Sequence, residues 1–155
     1  MIHLECELDP LPVSAELIRS AADATLSYSA PGGTRHPEGD LTVVLTDDAQ
    51  LWQLNHDYLG VDAPTDVLSF PASETDPESG AYYFGDVLVS IDHAQAQAQV
   101  VGHPLESEVQ LLVVHGVLHL LGYDHAEAGE KSRMWSAQAE ILRSIGLAGI
   151  EIRES

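Results

Sequence analysis

The stretch HGVLHLLGYDH, residues 115–125, holds three of the chain's eight histidines. His115 and His119 are four residues apart, so on a helix both imidazoles leave the same face one turn apart. Gly122 can take the left-handed conformation that ends a helix, and the chain can then turn back to deliver His125 as a third ligand. Three neutral imidazoles leave the fourth tetrahedral position open for water, as in a catalytic zinc site. The stretch therefore predicts a metal-binding helix.

The alternative is that these histidines are ordinary core residues of an apolar helix. Buried imidazoles with unpaired polar atoms would cost about a few kcal/mol each, which favours a metal site. Gly116 costs about 1 kcal/mol relative to alanine in mid-helix, which indicates that something approaches closely there. The spacing H-x3-H-x5-H equals that of the zincin motif, but Gly116 replaces its general-base glutamate. A zincin-type peptidase is therefore disfavoured.

The composition limits both the fold and the partners. The 155 residues suit one domain, residues 1–155, and the single cysteine, Cys6, excludes a cysteine-rich metal site. The chain carries 25 acidic and 6 basic residues, a net charge of -19, which repels nucleic acid and anionic membranes. The N-terminus has no secretory pattern and no stretch has the length of a membrane span, so we expect a soluble cytoplasmic protein.

Helical and alternating patterns follow one another along the chain. Pro12 is expected to open the first helix, with Leu17 on its buried face, and Asp47 or Asp48 and then Asp92 are expected to cap the second and third helices. The patterns predict strands over 2–8, 40–47, 64–71 and 81–92, a polar loop over 72–80, and helices over 12–28, 48–58, 93–101, 105–122 and 127–145. This order predicts a mixed sheet of about four strands with helices packed on it.

The segment 115–125 resembles the signature of the YbeY family, bacterial endoribonucleases that act in rRNA maturation and ribosome quality control. LNHDYLGVDAPTDVLSFP, residues 54–71, is similar to the family's upstream motif, and FGDVLVS, residues 84–90, to its glycine-aspartate strand. The resemblance covers nearly the entire chain. It implies an α+β fold in which about five helices pack on a mixed four-stranded sheet and a zincin-like helix binds the metal.

The resemblance also implies a function. One Zn²⁺ ion would be held by His115, His119 and His125, although nickel or copper also suits three imidazoles. The activity implied is single-strand-specific RNA cleavage in the processing of the small-subunit rRNA 3′ end. RNA and the ribosomal small subunit would be the partners of a monomeric protein that does not bind membranes.

Several further residues are candidates for the site. As a hypothesis, the metal polarises a phosphoryl oxygen and activates water, with Asp66 and Asp124 as catalytic carboxylates and Asp86 as another candidate. Thr65 and Ser69 would line the substrate pocket. Two of these carboxylates have a structural alternative: Asp66 could cap a turn and Asp86 could stabilise the bend at the strand's glycine. His56 and His93 are expected to be surface residues.

One position departs from the family pattern. The family usually has an arginine directly after Tyr58, where this chain has Leu59, and leucine cannot replace a bidentate phosphate ligand. Lys131, Arg133 or Arg35 could supply a cation instead. Two other functions therefore stay open: a metal-dependent hydrolase of a non-nucleic substrate, and a non-catalytic ribosome-assembly factor with a structural zinc.

Overall fold

The computed structural model of the chain describes residues 2–7, 13–28, 39–60, 66–123 and 127–147. Within these ranges lie four strands and five helices. In chain order they are β1 Ile2–Cys6, α1 Ala15–Ser27, β2 Gly39–Thr46, α2 Asp48–Leu59, β3 Val67–Thr75, β4 Tyr82–Ser90, α3 Ile91–Val101, α4 Leu105–Leu120 and α5 Ala128–Ser144. The predicted α+β class is confirmed.

The four strands form one mixed sheet in the order β1-β2-β4-β3. β1 and β2 are parallel, as are β2 and β4, whereas β3 pairs antiparallel with β4 at the edge. Residues 41–46 of the central strand β2 are all buried. Burial on both faces is typical of a parallel strand whose sheet is covered on both sides. The sheet thus matches the predicted mixed, four-stranded arrangement.

Helix α4 packs on β3 and β4 and also contacts α1, α3 and α5. All of its residues from Ser107 to Leu118 are buried, which is typical of a helix at the centre of a core. Complete burial of each valine or leucine contributes roughly 1.5–3 kcal/mol, so this packing fixes the helix and the side chains it carries. No helix within the described ranges, α4 included, combines the length and apolar character needed to cross a membrane.

Strand β3 begins and ends later in the sequence than the predicted strand 64–71. It runs from Val67 to Thr75, so residues 72–75 continue the strand instead of forming a loop. Glu74 pairs with Tyr83 of β4 beyond a register shift that begins at Pro71. The polar composition suggested a loop, but exposed polar residues and proline are both compatible with an edge strand.

Helix α1 begins at Ala15 with Ser14 at its N-cap position, and not at Pro12, which lies outside the described residues. Leu17, predicted to be on the buried face, is 39% exposed. The buried stripe consists of Ile18, Ala21, Ala22 and Thr25. Thr25 can join this stripe because its hydroxyl donates a hydrogen bond to the Ala21 carbonyl, at 2.8 Å.

The predicted cap of α3, Asp92, is wrong. Helix α3 begins at Ile91, and the Ser90 hydroxyl accepts a hydrogen bond from the His93 backbone N–H at 3.2 Å. Asp92 therefore lies in the first turn, where its carboxylate accepts from the Asp48 backbone N–H at 3.3 Å. Serine and aspartate are comparably good caps, so composition alone could not choose between the two positions.

Candidate metal centre

Two of the three predicted metal ligands, His115 and His119, face each other on α4. Their Nε2 atoms are 3.1 Å apart, and the ring centroids are 4.7 Å apart with the planes at 73°. His115 is 5% exposed, whereas His119 is only partly buried. The four-residue spacing therefore brings two imidazole nitrogens together at the edge of the core.

The other nitrogen of His115 contacts helix α5. His115 Nδ1 lies 2.9 Å from the side-chain oxygen Oε1 of Gln138. An amide oxygen can only accept, so in this contact Nδ1–H donates and the proton of the neutral ring resides on Nδ1. His115 Nε2 then carries a lone pair on the side that faces His119.

The geometry of the pair fits a shared divalent metal. Two nitrogens bound to one tetrahedral zinc, each at about 2.0–2.1 Å, are about 3.3 Å apart, close to the separation of the two Nε2 atoms. Within the described ranges, no three histidine, cysteine or carboxylate side chains form a group that could hold a metal ion. The third predicted ligand, His125, and its neighbour Asp124 lie outside those ranges. The pair therefore fits as two ligands of the predicted set.

Gly116 lets α4 approach the sheet closely. A Cβ atom at this position would lie 2.5 Å from Cγ1 of Val87 and 3.3 Å from both Cγ2 of Val67 and Oγ of Ser69. The Ser69 hydroxyl donates to the Gly116 carbonyl at 2.9 Å. The close approach predicted from this glycine is thus an approach to β3 and β4. Through this hydrogen bond Ser69, a predicted substrate-binding residue, joins β3 to helix α4.

Helix α4 ends at Leu120, two residues before the predicted glycine. Gly122 has φ 97°, in the left-handed region. Its N–H donates to the His119 carbonyl, and the Tyr123 N–H donates to the Leu118 carbonyl, both at 3.0 Å. These two bonds form a Schellman motif, which satisfies carbonyls that the helix end leaves free. The chain therefore leaves α4 by a defined turn, two residues before the undescribed His125.

Asp66, a predicted catalytic carboxylate, lies directly before β3 and is 8% exposed. Its carboxylate accepts a hydrogen bond from the Gln97 side-chain amide of α3 at 3.4 Å. Its backbone carbonyl accepts from the Ser90 N–H at 2.9 Å. These bonds join Asp66 to the junction of β4 and α3. The neighbouring Thr65 lies outside the described residues.

Asp86, the other described carboxylate candidate, accepts a hydrogen bond from the Tyr83 hydroxyl on the same strand. That hydroxyl also lies 2.5 Å from Oγ1 of Thr42 on β2. Burial, together with the adjacent carboxylate, raises the pKa of Tyr83 to about 12. Gly85, directly before Asp86, has φ 135°, and a Cβ there would lie 2.2 Å from the Phe70 carbonyl. The strand's glycine thus serves a close approach of β3.

An aromatic ring connects a basic side chain of α5 with His115. The Trp135 ring of α5 makes an edge contact with His115 at a centroid distance of 6.2 Å, and Lys131 Nζ lies 5.6 Å from the Trp135 ring centroid. Arg133 is exposed on the same helix, and Arg35 lies outside the described residues. Among the three cations considered from the sequence, Lys131 is thus linked to the site through one aromatic ring.

The two histidines expected at the surface differ in exposure. The side chain of His56 is 52% exposed, and its ring stacks on Trp52 at a centroid distance of 5.4 Å. The side chain of His93 is 33% exposed, and its Nδ1 lies 3.3 Å from Asp48 Oδ1.

Two features around α4 were not predicted from the sequence. The first is Gln138, a polar residue within the apolar stripe of α5, between Met134 and Ile141. A polar residue at a buried helical position was the only indication of its role in the sequence. The second is a pair of Glu108, which is fully buried, with His103: the Oε1 and Nε2 atoms are 2.7 Å apart. Buried carboxylates are nearly always paired, but the partner cannot be read from the sequence.

Comparison with known proteins shows that the chain is similar to members of one protein family. The family model described as Endoribonuclease YbeY matches residues 4–146. The Endoribonuclease YbeY of Roseiflexus sp. is 42% identical over 142 residues, covering 88% of this chain and 86% of that protein. That of Moorella thermoacetica is 39% identical over 155 residues, covering 93% of this chain and 99% of that protein.

A solved structure supports the fold. The solution structure of TM1509 from Thermotoga maritima superimposes with a TM-score of 0.56 at 22% identity, and the match covers 100% of both chains. At this identity the likeness concerns the fold alone.

Proposed function

The chain belongs to the Endoribonuclease YbeY family, and from this premise we propose that it is a zinc-dependent, single-strand-specific endoribonuclease. We place its activity in maturation of the small-subunit rRNA 3′ end and in ribosome quality control. The proposal covers a monomeric, single-domain cytoplasmic protein whose partners are RNA and the ribosomal small subunit. Family membership supports RNA cleavage, and the histidine pair supports the metal.

The observation that carries the proposal is the 3.1 Å separation of the two Nε2 atoms on α4. We assign His115, His119 and His125 as the metal ligands. The zinc ion would act as a Lewis acid toward a phosphoryl oxygen and would make water a stronger nucleophile. The chain's own contribution is to hold the two described imidazoles on a buried, rigid helix. Rigid support of this kind reduces the reorganisation that a reaction requires.

The acid-base residues of the proposal are Asp66 and Asp124, with Thr65 and Ser69 lining the substrate side. Asp66 is buried, and its carboxylate accepts a hydrogen bond from the Gln97 side-chain amide. Ser69 lies on edge strand β3 and bonds to the histidine helix. A single-stranded substrate that passes along β3 would therefore run beside the histidines.

Electrostatics sets the conditions for RNA binding. A net charge of -19 opposes the approach of a polyanion, and Leu59, the last residue of α2, supplies no cation. Lys131 is the described basic residue that Trp135 links to His115. Both its charge and the adjacent indole suit a nucleotide, because single strands bind to cations and to stacking surfaces. We therefore include Lys131 as an RNA-contacting residue.

The same charge favours a second candidate, a metal-dependent hydrolase of a non-nucleic substrate. Such an enzyme would use the same histidines without needing a basic surface. A third candidate, a ribosome-assembly factor, would keep zinc only for structure. The three candidates differ in what the zinc-loaded protein cleaves.

The test is a substrate panel for zinc-loaded protein: single-stranded RNA, fully duplex RNA, and peptide amides. We expect cleavage of single-stranded RNA, and at least about a 100-fold loss in His119→Ala, because removal of one ligand weakens the metal site. His3→Ala is the matched control, since His3 is an exposed histidine on β1. RNA cleavage undiminished in His119→Ala would refute the metal-dependent nuclease. Cleavage of the amide alone would favour the non-nucleic hydrolase, and no cleavage of any substrate would favour the assembly factor.

A further inference from the structure

Gln138 combines deep burial with one specific polar contact. It is 1% exposed on the apolar stripe of α5, and its Oε1 accepts from His115 Nδ1 at 2.9 Å. Its side-chain nitrogen Nε2 has no hydrogen-bond partner among the described residues. A buried amide with an unused donor is a poor choice for packing alone. The contact with His115 is therefore the feature that accounts for a glutamine at this position.

The contact determines which nitrogen of His115 is free. A neutral imidazole has one N–H and one lone pair, and only the lone pair can bind a metal. With the proton held on Nδ1 by Gln138, the lone pair lies on Nε2, and that atom faces His119 Nε2. Loss of the acceptor would let His115 exchange tautomers and rotate. Either change would remove the lone pair from the common point of the two rings.

We propose that Gln138 is a positioning residue for the metal centre: it selects the Nδ1–H tautomer of His115 and fixes the ring so that Nε2 faces the metal. This inference rests on the proposed function, because it assumes that His115 is a ligand. Helix α5 thereby becomes part of the centre although it supplies no ligand among its described residues. Acceptors that orient ligating histidines in this way typically change metal affinity 10–100-fold when they are removed.

The experiment compares two substitutions at this position. Gln138→Met keeps the length of the side chain and removes the acceptor. Gln138→Glu keeps an acceptor and removes the unpartnered N–H₂ group. The matched control is Gln110→Met on α4: Gln110 is also a buried glutamine, 5% exposed, but its amide donates to the Leu17 carbonyl on α1 at 3.1 Å. All variants are first shown to be folded by circular dichroism.

The first readout is zinc affinity, measured by competition with a chromophoric chelator. We expect roughly 10–100-fold weaker binding in Gln138→Met, binding at least as tight as the wild type in Gln138→Glu, whose carboxylate also accepts from His115, and Gln110→Met within about threefold of the wild type. Equal affinity of Gln138→Met and the wild type would overturn the inference and leave the proposed function standing. Absence of zinc binding by the wild type would overturn the metal centre itself, and the inference with it.

The second readout needs no metal. Long-range ¹H–¹⁵N NMR of the metal-free protein at pH 8 distinguishes the two tautomers of His115. We expect the Nδ1–H form in the wild type and in Gln138→Glu, and a mixture in Gln138→Met. A ring with its proton on Nε2 in the wild type would overturn the inference even if Gln138→Met failed to fold.

Discussion

Gly116→Ala tests whether helix α4, which carries His115 and His119, packs closely on the sheet. The added Cβ would lie 2.5 Å from Val87 Cγ1, roughly 1 Å inside an ordinary contact. Val87 is fully buried and β-branched, so its side chain has little freedom to move away. Overpacking of this kind costs about 1–3 kcal/mol, whereas replacing a helical glycine with alanine stabilises by about 1 kcal/mol. We therefore expect a net loss of up to about 2 kcal/mol.

Gly129→Ala is the matched control. Gly129 lies in the first turn of α5, and among the described residues a Cβ there meets no heavy atom within 4 Å. The same chemical change should stabilise this site by at most about 1 kcal/mol. The difference between the two variants isolates the packing cost, about 1–3 kcal/mol. Urea unfolding followed by circular dichroism, extrapolated to zero denaturant, measures both free energies.

A double variant identifies the obstacle. Val87→Ala removes the Cγ1 atom that the new Cβ would meet, so Gly116→Ala should cost at least about 1 kcal/mol less in the Val87→Ala background than in the wild type. Zinc affinity should fall with Gly116→Ala and recover in the double variant, because α4 carries both described histidines of the proposed metal site. If Gly116→Ala proved as stable as Gly129→Ala, the close packing of α4 on the sheet would be refuted.

Three further substitutions test separate parts of the structure. The pKa of Tyr83 is raised to about 12 in the folded state, so the folded protein keeps this proton at a pH where the unfolded chain has lost it. The free energy of unfolding of the wild type should therefore fall between about pH 10 and 12, by up to about 1 kcal/mol per pH unit. Tyr83→Phe should flatten this decline, as measured by urea unfolding at each pH. His103→Ala breaks a pair with the fully buried Glu108 and should lower the free energy of unfolding by about 3 kcal/mol. The control His93→Ala breaks a partly exposed pair and should cost under about 1 kcal/mol. Equal losses would contradict the importance of the buried pair. Leu59→Arg should tighten the binding of single-stranded RNA and steepen its salt dependence in fluorescence anisotropy, and an unchanged salt slope would show that the new cation meets no phosphate.

Local patterns predicted the helix that carries the site. The four-residue spacing placed His115 and His119 on one face of α4, and Gly122 ended the helix by the expected left-handed turn. Asp47 caps α2, one of the two residues expected there, by accepting from the Gln50 N–H at 2.8 Å. These features depend on neighbours within one or two turns, so the sequence contains the information.

Features that depend on contacts between residues far apart in the sequence could not be predicted from local patterns. Gln138 lies 23 residues after His115 in the chain, and only the packing of α5 on α4 brings the two together. The strand pairing of Glu74 likewise depends on β4, and a polar segment at a sheet edge resembles a loop. Gly116 indicated a close approach, but the identity of Val87 as the obstacle required the register of the sheet. The roles of Thr65, Asp124 and His125 stay predictions, since these residues lie outside the described ranges.

We propose that His115 and His119 bind a divalent metal. Elemental analysis of protein purified without chelator measures this binding, with the wild type compared with the double variant His115→Ala/His119→Ala. We expect close to one zinc or other divalent transition metal per wild-type chain and only a trace in the double variant. A wild type with only a trace of metal, or a double variant that retains the wild-type amount, would contradict it.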